Sequence, residues 1–172
     1  MLLEQSDVNP DAADKDGQTP LFIAAGQGYE GVVKILLERN DVNPNAASED
    51  GQTPLFIAAY EGREGAVKML LEQNDVNPNT VNEHGQTPLI VAARKGHERV
   101  VKTLLERVDV NSDMIDLAGL TALSQALKRG HNTIVRLLSE HRNSIPSSNG
   151  DGFAALSSSD PNQRPSKRIR RF

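Results

Sequence analysis

The chain restarts the same segment four times: GQTPLFIAA from Gly17, GQTPLFIAA from Gly51, GQTPLIVAA from Gly85 and GLTALSQAL from Gly119. The spacing is 34 residues throughout. A period of that length marks stacked supersecondary units, none of which can bury its apolar face without a neighbour. The architecture is therefore a solenoid, and a solenoid presents surface more readily than it encloses a reaction.

Composition supports this. Aromatic residues are 3% of the chain and tryptophan is absent, so the core must be built from Leu, Val, Ile and Ala. There is no cysteine, which excludes disulfides and thiolate metal sites. No apolar run approaches the ~20 residues of a membrane span, and no secretory signal opens the chain. The expectation is an intracellular protein, cytoplasmic or nuclear, without a membrane segment. The net charge of −4 is uneven: residues 1–142 carry −7 and residues 143–172 carry +3. An acidic body argues against nucleic acid as the main partner, since phosphate binding rests on basic contacts.

The unit from Gly51 shows how each repeat folds. Thr53 is a good N-cap, and Pro54 suits the first helical position, where its missing N–H costs nothing. A short helix is expected from Pro54 to about Glu61, reversed at Gly62 by a turn that tolerates positive φ. A second helix is expected from Glu64 to Gln73, burying Val67, Leu70 and Leu71 on one face. Glu64 and Lys68, like Glu30 and Lys34 or Glu98 and Lys102, stand four residues apart and mark the solvated face. The DVNPN segment that follows is rich in turn formers, so Asp75–Gln86 reads as an extended β-turn finger.

These residues closely resemble the ankyrin repeat. The pattern G-x-T-P-L-x-x-A-A-x-x-G, followed by V-x-x-L-L and D-V-N, is met almost fully by three units and loosely by a fourth. The fold implied is an all-α ankyrin-repeat solenoid of antiparallel helix pairs with β-turn fingers. A partial unit occupies residues 1–14, and full units begin at about 15, 49, 83 and 117, so that the array spans 1–142. Three departures stand out. The histidine usual after T-P-L is replaced by Phe22, Phe56, Ile90 and Ser124, so apolar packing must substitute for its hydrogen bond. The Gly-Ala usual after the second helix shrinks to Asn40, Asn74 or Val108. The finger is correspondingly two residues longer. The DVNPN variety resembles the long arrays of filamentous fungi, some of them attached to signalling NTPases.

At the ends, MLLEQSDVNPDAAD aligns with Ile35–Ser48, so Leu2 and Leu3 fall where Leu36 and Leu37 are buried, and a fragment of a longer array is expected. Ser139 replaces a leucine near the other end, as a cap would. Gly152–Ser157 echoes Gly119–Ser124, which leaves two readings of 143–160: a degenerate half-repeat with a helix at Ala154–Ser159, or a chance match in a Ser-rich linker. Residues 161–172 read as a disordered tail. Its Lys167, Arg168, Arg170 and Arg171 resemble a nuclear-import signal, a weak pattern.

No residues assemble a nucleophile, base and orienter, and no histidine pair has zinc-ligand spacing. The reading is not an enzyme, with no cofactor and no small-molecule substrate. The resemblance implies a protein-protein interaction module that binds through the concave face and fingers. Carried over by position, the face begins with Lys15, Asp16, Gln18 and Gln27. Glu49, Asp50, Gln52, Tyr60 and Glu61 follow from unit two. Unit three adds Glu83, His84, Gln86, Arg94 and Lys95, and unit four Leu117, Ala118, Leu120, Lys128 and Arg129. The residue pairs closing the four first helices run GQ, YE, RK, KR. A protein partner with an acidic segment is expected at Arg94, Lys95, Lys128 and Arg129, with Tyr60 as an anchor. Two other functions stay open: a regulatory or sensor segment of a larger signalling NTPase or other multidomain enzyme, and a nuclear factor using its basic tail. Met114, Ile115, Leu117 and Leu120 make the unit-four finger apolar, either as a contact patch or as packing beneath the half-repeat.

Overall fold

The structure is a computed structural model and describes residues 9–144. Leu2, Leu3, the half-repeat of 143–160 beyond Ser144 and the basic run at Lys167, Arg168, Arg170 and Arg171 lie outside the described residues. Within them the chain is all-helical, with four antiparallel pairs: α1 (Pro20–Gln27) and α2 (Glu30–Leu37), α3 (Pro54–Tyr60) and α4 (Glu64–Leu71), α5 (Pro88–Lys95) and α6 (Glu98–Leu105), α7 (Ala122–Arg129) and α8 (Asn132–Ser144). The first helices pack in one row, α1 to α3 to α5 to α7, and the second helices in another. No helix among the described residues is long and apolar enough to cross a membrane.

Each first helix starts where the sequence places it. The Oγ1 atoms of Thr19, Thr53, Thr87 and Thr121 each accept from the backbone N–H three residues on, at 3.2 Å. Those N–H groups have no partner inside the helix, which is why a hydroxyl at this point stabilises it. The second helices stop two residues earlier than expected: α4 ends at Leu71, and Glu72 is its C-cap. Here the final turn tightens, with Gln73 N–H donating to the Leu70 carbonyl. Ser139 does not terminate α8, which runs on to Ser144 while Ser139 Oγ donates to the Val135 carbonyl at 2.7 Å. No finger sequence like DVNPN interrupts it.

The core lies between the two rows. Leu21, Leu55 and Leu89 of the first helices meet Val33, Val67, Leu70, Val101 and Leu104 of the second, all buried. Phe22, Phe56 and Ile90 are buried as well, so apolar packing does replace the missing histidine in three units. In the fourth, Ser124 Oγ instead lies 3.1 Å from Thr121 Oγ1, a polar contact. Ala25, Ala59 and Ala93 are fully buried between neighbouring first helices, where a larger side chain would push them apart. Leu127 holds the equivalent place in α7 and is 60% exposed.

Neighbouring units are tied at three levels. Near the turn between paired helices, Arg63 Nε donates to the Gly26 carbonyl at 3.0 Å, His97 Nε2 to that of Tyr60 at 2.9 Å and His131 Nε2 to that of Arg94 at 3.2 Å. These carbonyls end the first helices and lack helical donors. The approach requires glycine beneath it: a Cβ on Gly28, Gly62 or Gly96 would stand 2.7–2.9 Å from the incoming side chain, at φ of +76°, +70° and +85°. In the fingers, the N–H groups of Glu49, Glu83 and Leu117 donate to the carbonyls of Asp16, Asp50 and His84. Beyond the second helices, asparagines clamp the next unit. Asn45 accepts from Asn77 N–H at 3.0 Å and donates to the Asp75 carbonyl at 2.7 Å. Asn79 repeats this with Asn111 and Asp109 at 2.8 and 2.6 Å. The i, i+4 pairs expected on the second helices are not the ones formed: Lys34 meets Glu38 at 4.0 Å, and Glu64 meets Arg99 of the next unit at 3.4 Å. All these side chains are exposed, so either pairing contributes little.

The unit-four finger is organised by Asp116. Its Oδ1 accepts from the N–H groups of Ala118 and Leu120, both at 2.9 Å, and Oδ2 accepts from Gln125 Nε2 at 2.7 Å. Burial would raise this carboxyl, but those three donors together with the Gln86 side chain outweigh it and hold it below the usual carboxylate range.

Two stability predictions follow from this packing. Leu104→Ala, in the fully buried core, should cost about 2–5 kcal/mol, whereas Asn79→Ala, whose partners water can reach, should cost about 0.5–1.5 kcal/mol. Urea unfolding of the two variants measures the gap, and equal losses would mean that the clamps outweigh the core. Asp116→Ala should cost about 1–3 kcal/mol at pH 7. Because the folded carboxyl is depressed, its contribution is whole above the unfolded value of about 4 and fades as pH falls through the folded value. The difference from wild type should therefore shrink between pH 5 and pH 2, read as urea midpoints across that range.

Candidate functional site

The C-terminal turns of the first helices and the adjoining fingers line one side of the solenoid. The same 34-residue step that stacks the units sets their side chains in rows. One row holds Gly26, Tyr60, Arg94 and Lys128, and the next Gln27, Glu61, Lys95 and Arg129.

Most residues expected on this face are at the surface. Glu49, Asp50, Glu61, Glu83, His84, Lys95, Leu117, Lys128 and Arg129 are exposed, and Gln52, Tyr60, Arg94 and Leu120 are half-buried. Lys15, Asp16, Gln27 and Ala118 are exposed too, with Gln18 half-buried. Gln86 is a correction. It is buried at 6% exposure, beside Asp116, whose carboxyl it helps to hold below the usual range.

Charge divides the face. Asp16, Glu49, Asp50 and Glu83 put carboxylates along the finger tips, with His84 Nε2 3.6 Å from Glu83. Arg94, Lys95, Lys128 and Arg129 close α5 and α7, where cations also meet the negative end of the helix dipole. Among the described residues none of these four forms an ion pair with a carboxylate. Lys95 instead places its Nζ over the Tyr60 ring, 3.9 Å from the centroid. The cation is attracted by the ring's negative face. Tyr60 is thus a half-buried ring capped by an ammonium, and the two present one composite surface.

The fingers of units three and four differ in polarity. Ile115 and Leu117 are 59% and 80% exposed among the described residues.

Nothing in the repeat pattern announces a hollow of about 320 Å³ between α1 and α3. Gly26 opens it, since the other units carry Tyr60, Arg94 or Lys128 at that position. Phe22, Ile23 and Ile57 supply its apolar walls, and Gln18, Gln27, Gln52, Glu61 and Arg63 its polar rim. Arg107 was equally unforeseen. It reaches back to the carbonyls of Leu71 and Gln73 at 2.8 and 3.3 Å while paired with Asp109, whose carboxyl the guanidinium holds below its usual range. Its signal was present in Arg39 and Asp41, which form the same exposed pair one unit from the start.

Comparison with known proteins agrees with this geometry. The family model for ankyrin repeats matches in three copies, over residues 1–82, 41–114 and 73–150. No curated protein sequence matches the chain. Ankyrin repeats are generally protein-interaction modules. With its helix pairs, fingers and 34-residue step, the chain belongs to the ankyrin-repeat family.

Proposed function

We propose that the chain is a binding module without a reaction of its own. It holds a protein partner along the first-helix face, and an acidic segment of that partner lies against Arg94, Lys95, Lys128 and Arg129. The observation that carries this reading is the cluster of four cations on two adjacent helix ends, unpaired with any carboxylate among the described residues. Some other surface cations do find carboxylates, Arg39 with Asp41, Arg99 with Glu64 and Arg136 with Glu140, and those left unpaired among the described residues, such as Lys15, Lys68 and Lys102, do not stand four together on adjacent helix ends. A partner's carboxylates would complete what the chain leaves open.

The Tyr60–Lys95 contact supports the same reading. It fixes one ammonium at the edge of the cluster, so less side-chain entropy is lost when a carboxylate arrives. The carboxylates of Asp16, Glu49, Asp50 and Glu83 repel an acidic segment from the finger tips, which favours one placement over others.

Charge reversal tests the proposal. The tagged chain and a variant with Arg94, Lys95, Lys128 and Arg129 changed to Glu would be compared as bait in extracts of the source organism. Loss of a partner from the variant, at unchanged melting temperature, is the expected result. Affinity for that partner should fall at least about tenfold, chiefly through slower association, and should weaken as salt is raised. Equal capture by both baits would remove the basic cluster from the binding site.

A further inference from the structure

We infer that the hollow at Gly26 is a pocket for one large apolar side chain of an extended peptide, and that the acidic residues of the same peptide follow at a set distance. The inference rests on the proposed function and specifies the partner's chemistry.

The row Gly26, Tyr60, Arg94, Lys128 is filled in every unit except the first, so the hollow marks a missing side chain. Its walls suit an apolar occupant. Ile23 is 44% exposed and Ile57 half-buried, and covering them removes apolar surface from water. Its floor is closed to polar exchange, because the Gly26 carbonyl is already taken by Arg63 Nε at 3.0 Å. The rim is made of primary amides, Gln18, Gln27 and Gln52. Each amide offers both a donor and an acceptor, which matches the alternating N–H and C=O groups of an extended backbone.

Charge then fixes what stands beyond the apolar residue. Glu61 and Arg63 both lie at the hollow and offset one another, so a neutral residue suits the position next to the pocket. The cluster of four cations begins one helix further on. Packed helices stand about 8–10 Å apart, so α5 and α7 lie about 14 and 24 Å from the hollow. An extended chain advances about 3.3 Å per residue, which puts acidic residues about four and about seven positions from the apolar one. The complementary ligand is an extended segment with a bulky apolar residue, a short neutral spacer and a run of carboxylates.

A synthetic peptide tests this: one leucine, a glycine/serine spacer of about three residues and a run of aspartates, together with its reversed sequence. Amide shifts of the 15N-labelled chain would be followed during titration to millimolar peptide. Expected are shifts at Ile23, Gly26 and Ile57 together with Lys95 and Lys128, from one or both peptides. Leucine→serine in the peptide should weaken binding about tenfold. So should Gly26→Tyr, which fills the hollow as Ile57 Cγ1, 3.0 Å from the added Cβ, shifts aside, and Ile23→Ser, an exposed change that leaves the α1–α3 packing in place. Equal binding of leucine and serine peptides, or indifference to both variants, would overturn the pocket. If the four-Glu variant still lost affinity in that case, the basic cluster would stand without the pocket. Sensitivity to Gly26→Tyr with no response to the four-Glu variant would overturn the charge spacing instead, and no shift from either peptide would overturn the whole inference.

Discussion

The last carbonyls of a helix have no donor within it, and in this chain the next unit supplies one. The carbonyls of Gly26, Tyr60 and Arg94 are met by Arg63, His97 and His131. The register of the stack depends on that contact. It sets the distance from one first helix to the next, and it demands a glycine two residues after each carbonyl, since any Cβ there would collide with the donor. At the first two junctions a unit cannot drift along its neighbour without breaking this bond, a finger bond and an asparagine clamp together, whereas between units three and four the first two act without the clamp. The three ties lie at different levels of the same junction, so they fix orientation as well as distance.

Burial drives the association and the polar ties give it register. A helix pair of this length would expose most of its Leu and Val residues alone, so stability is shared between neighbours. The alanines at 25, 59 and 93 let the first helices approach closely enough for that core to close. Unit four breaks several of these rules at once. It has Ala122 in place of proline, Ser124 in place of an aromatic or isoleucine, and Leu127 in place of the contact alanine. Gln125 stands where units two and three pack Ile57 and Val91 on the core, and it is used to hold Asp116. Asp116 is met by the N–H groups of Ala118 and Leu120 and by Gln125, while Leu117 N–H still donates to His84 of unit three, so that finger is ordered by side chains and stacking together.

Much of this was legible in the sequence because it depends on local chemistry repeated at a fixed step. Threonine caps, Thr-Pro helix starts, positive-φ glycines and the buried Val and Leu positions all recur, and each recurrence reinforces the others. What was not legible depends on which atom meets which across a junction. DVNPN announces a turn, but nothing in it says that Asn45 and Asn79 spend both ends of their amides on the following unit. Glu64 and Lys68 have ideal helical spacing, yet Glu64 reaches Arg99, since a long exposed side chain chooses among neighbours of nearly equal energy. Gln86 occupies a surface position by alignment and is drawn inside by Asp116, a residue thirty positions away. The hollow at Gly26 is a missing atom set, visible only when the rows are laid side by side in space.

Backbone and side chain divide their work along the row at 26, 60, 94 and 128. The carbonyls of the first three do the same structural task in every junction, and that task places no demand on the side chain. The side chains are therefore free to differ, and they do: none, an aromatic ring, a guanidinium and an ammonium. A neighbouring row at 27, 61, 95 and 129 is equally unconstrained and changes from amide to carboxylate to cation. Chemical variety along the face thus arises at positions where the stack is indifferent to it. A change of side chain there alters the chemistry of the face while leaving the carbonyl, its donor and the glycine beneath them in place.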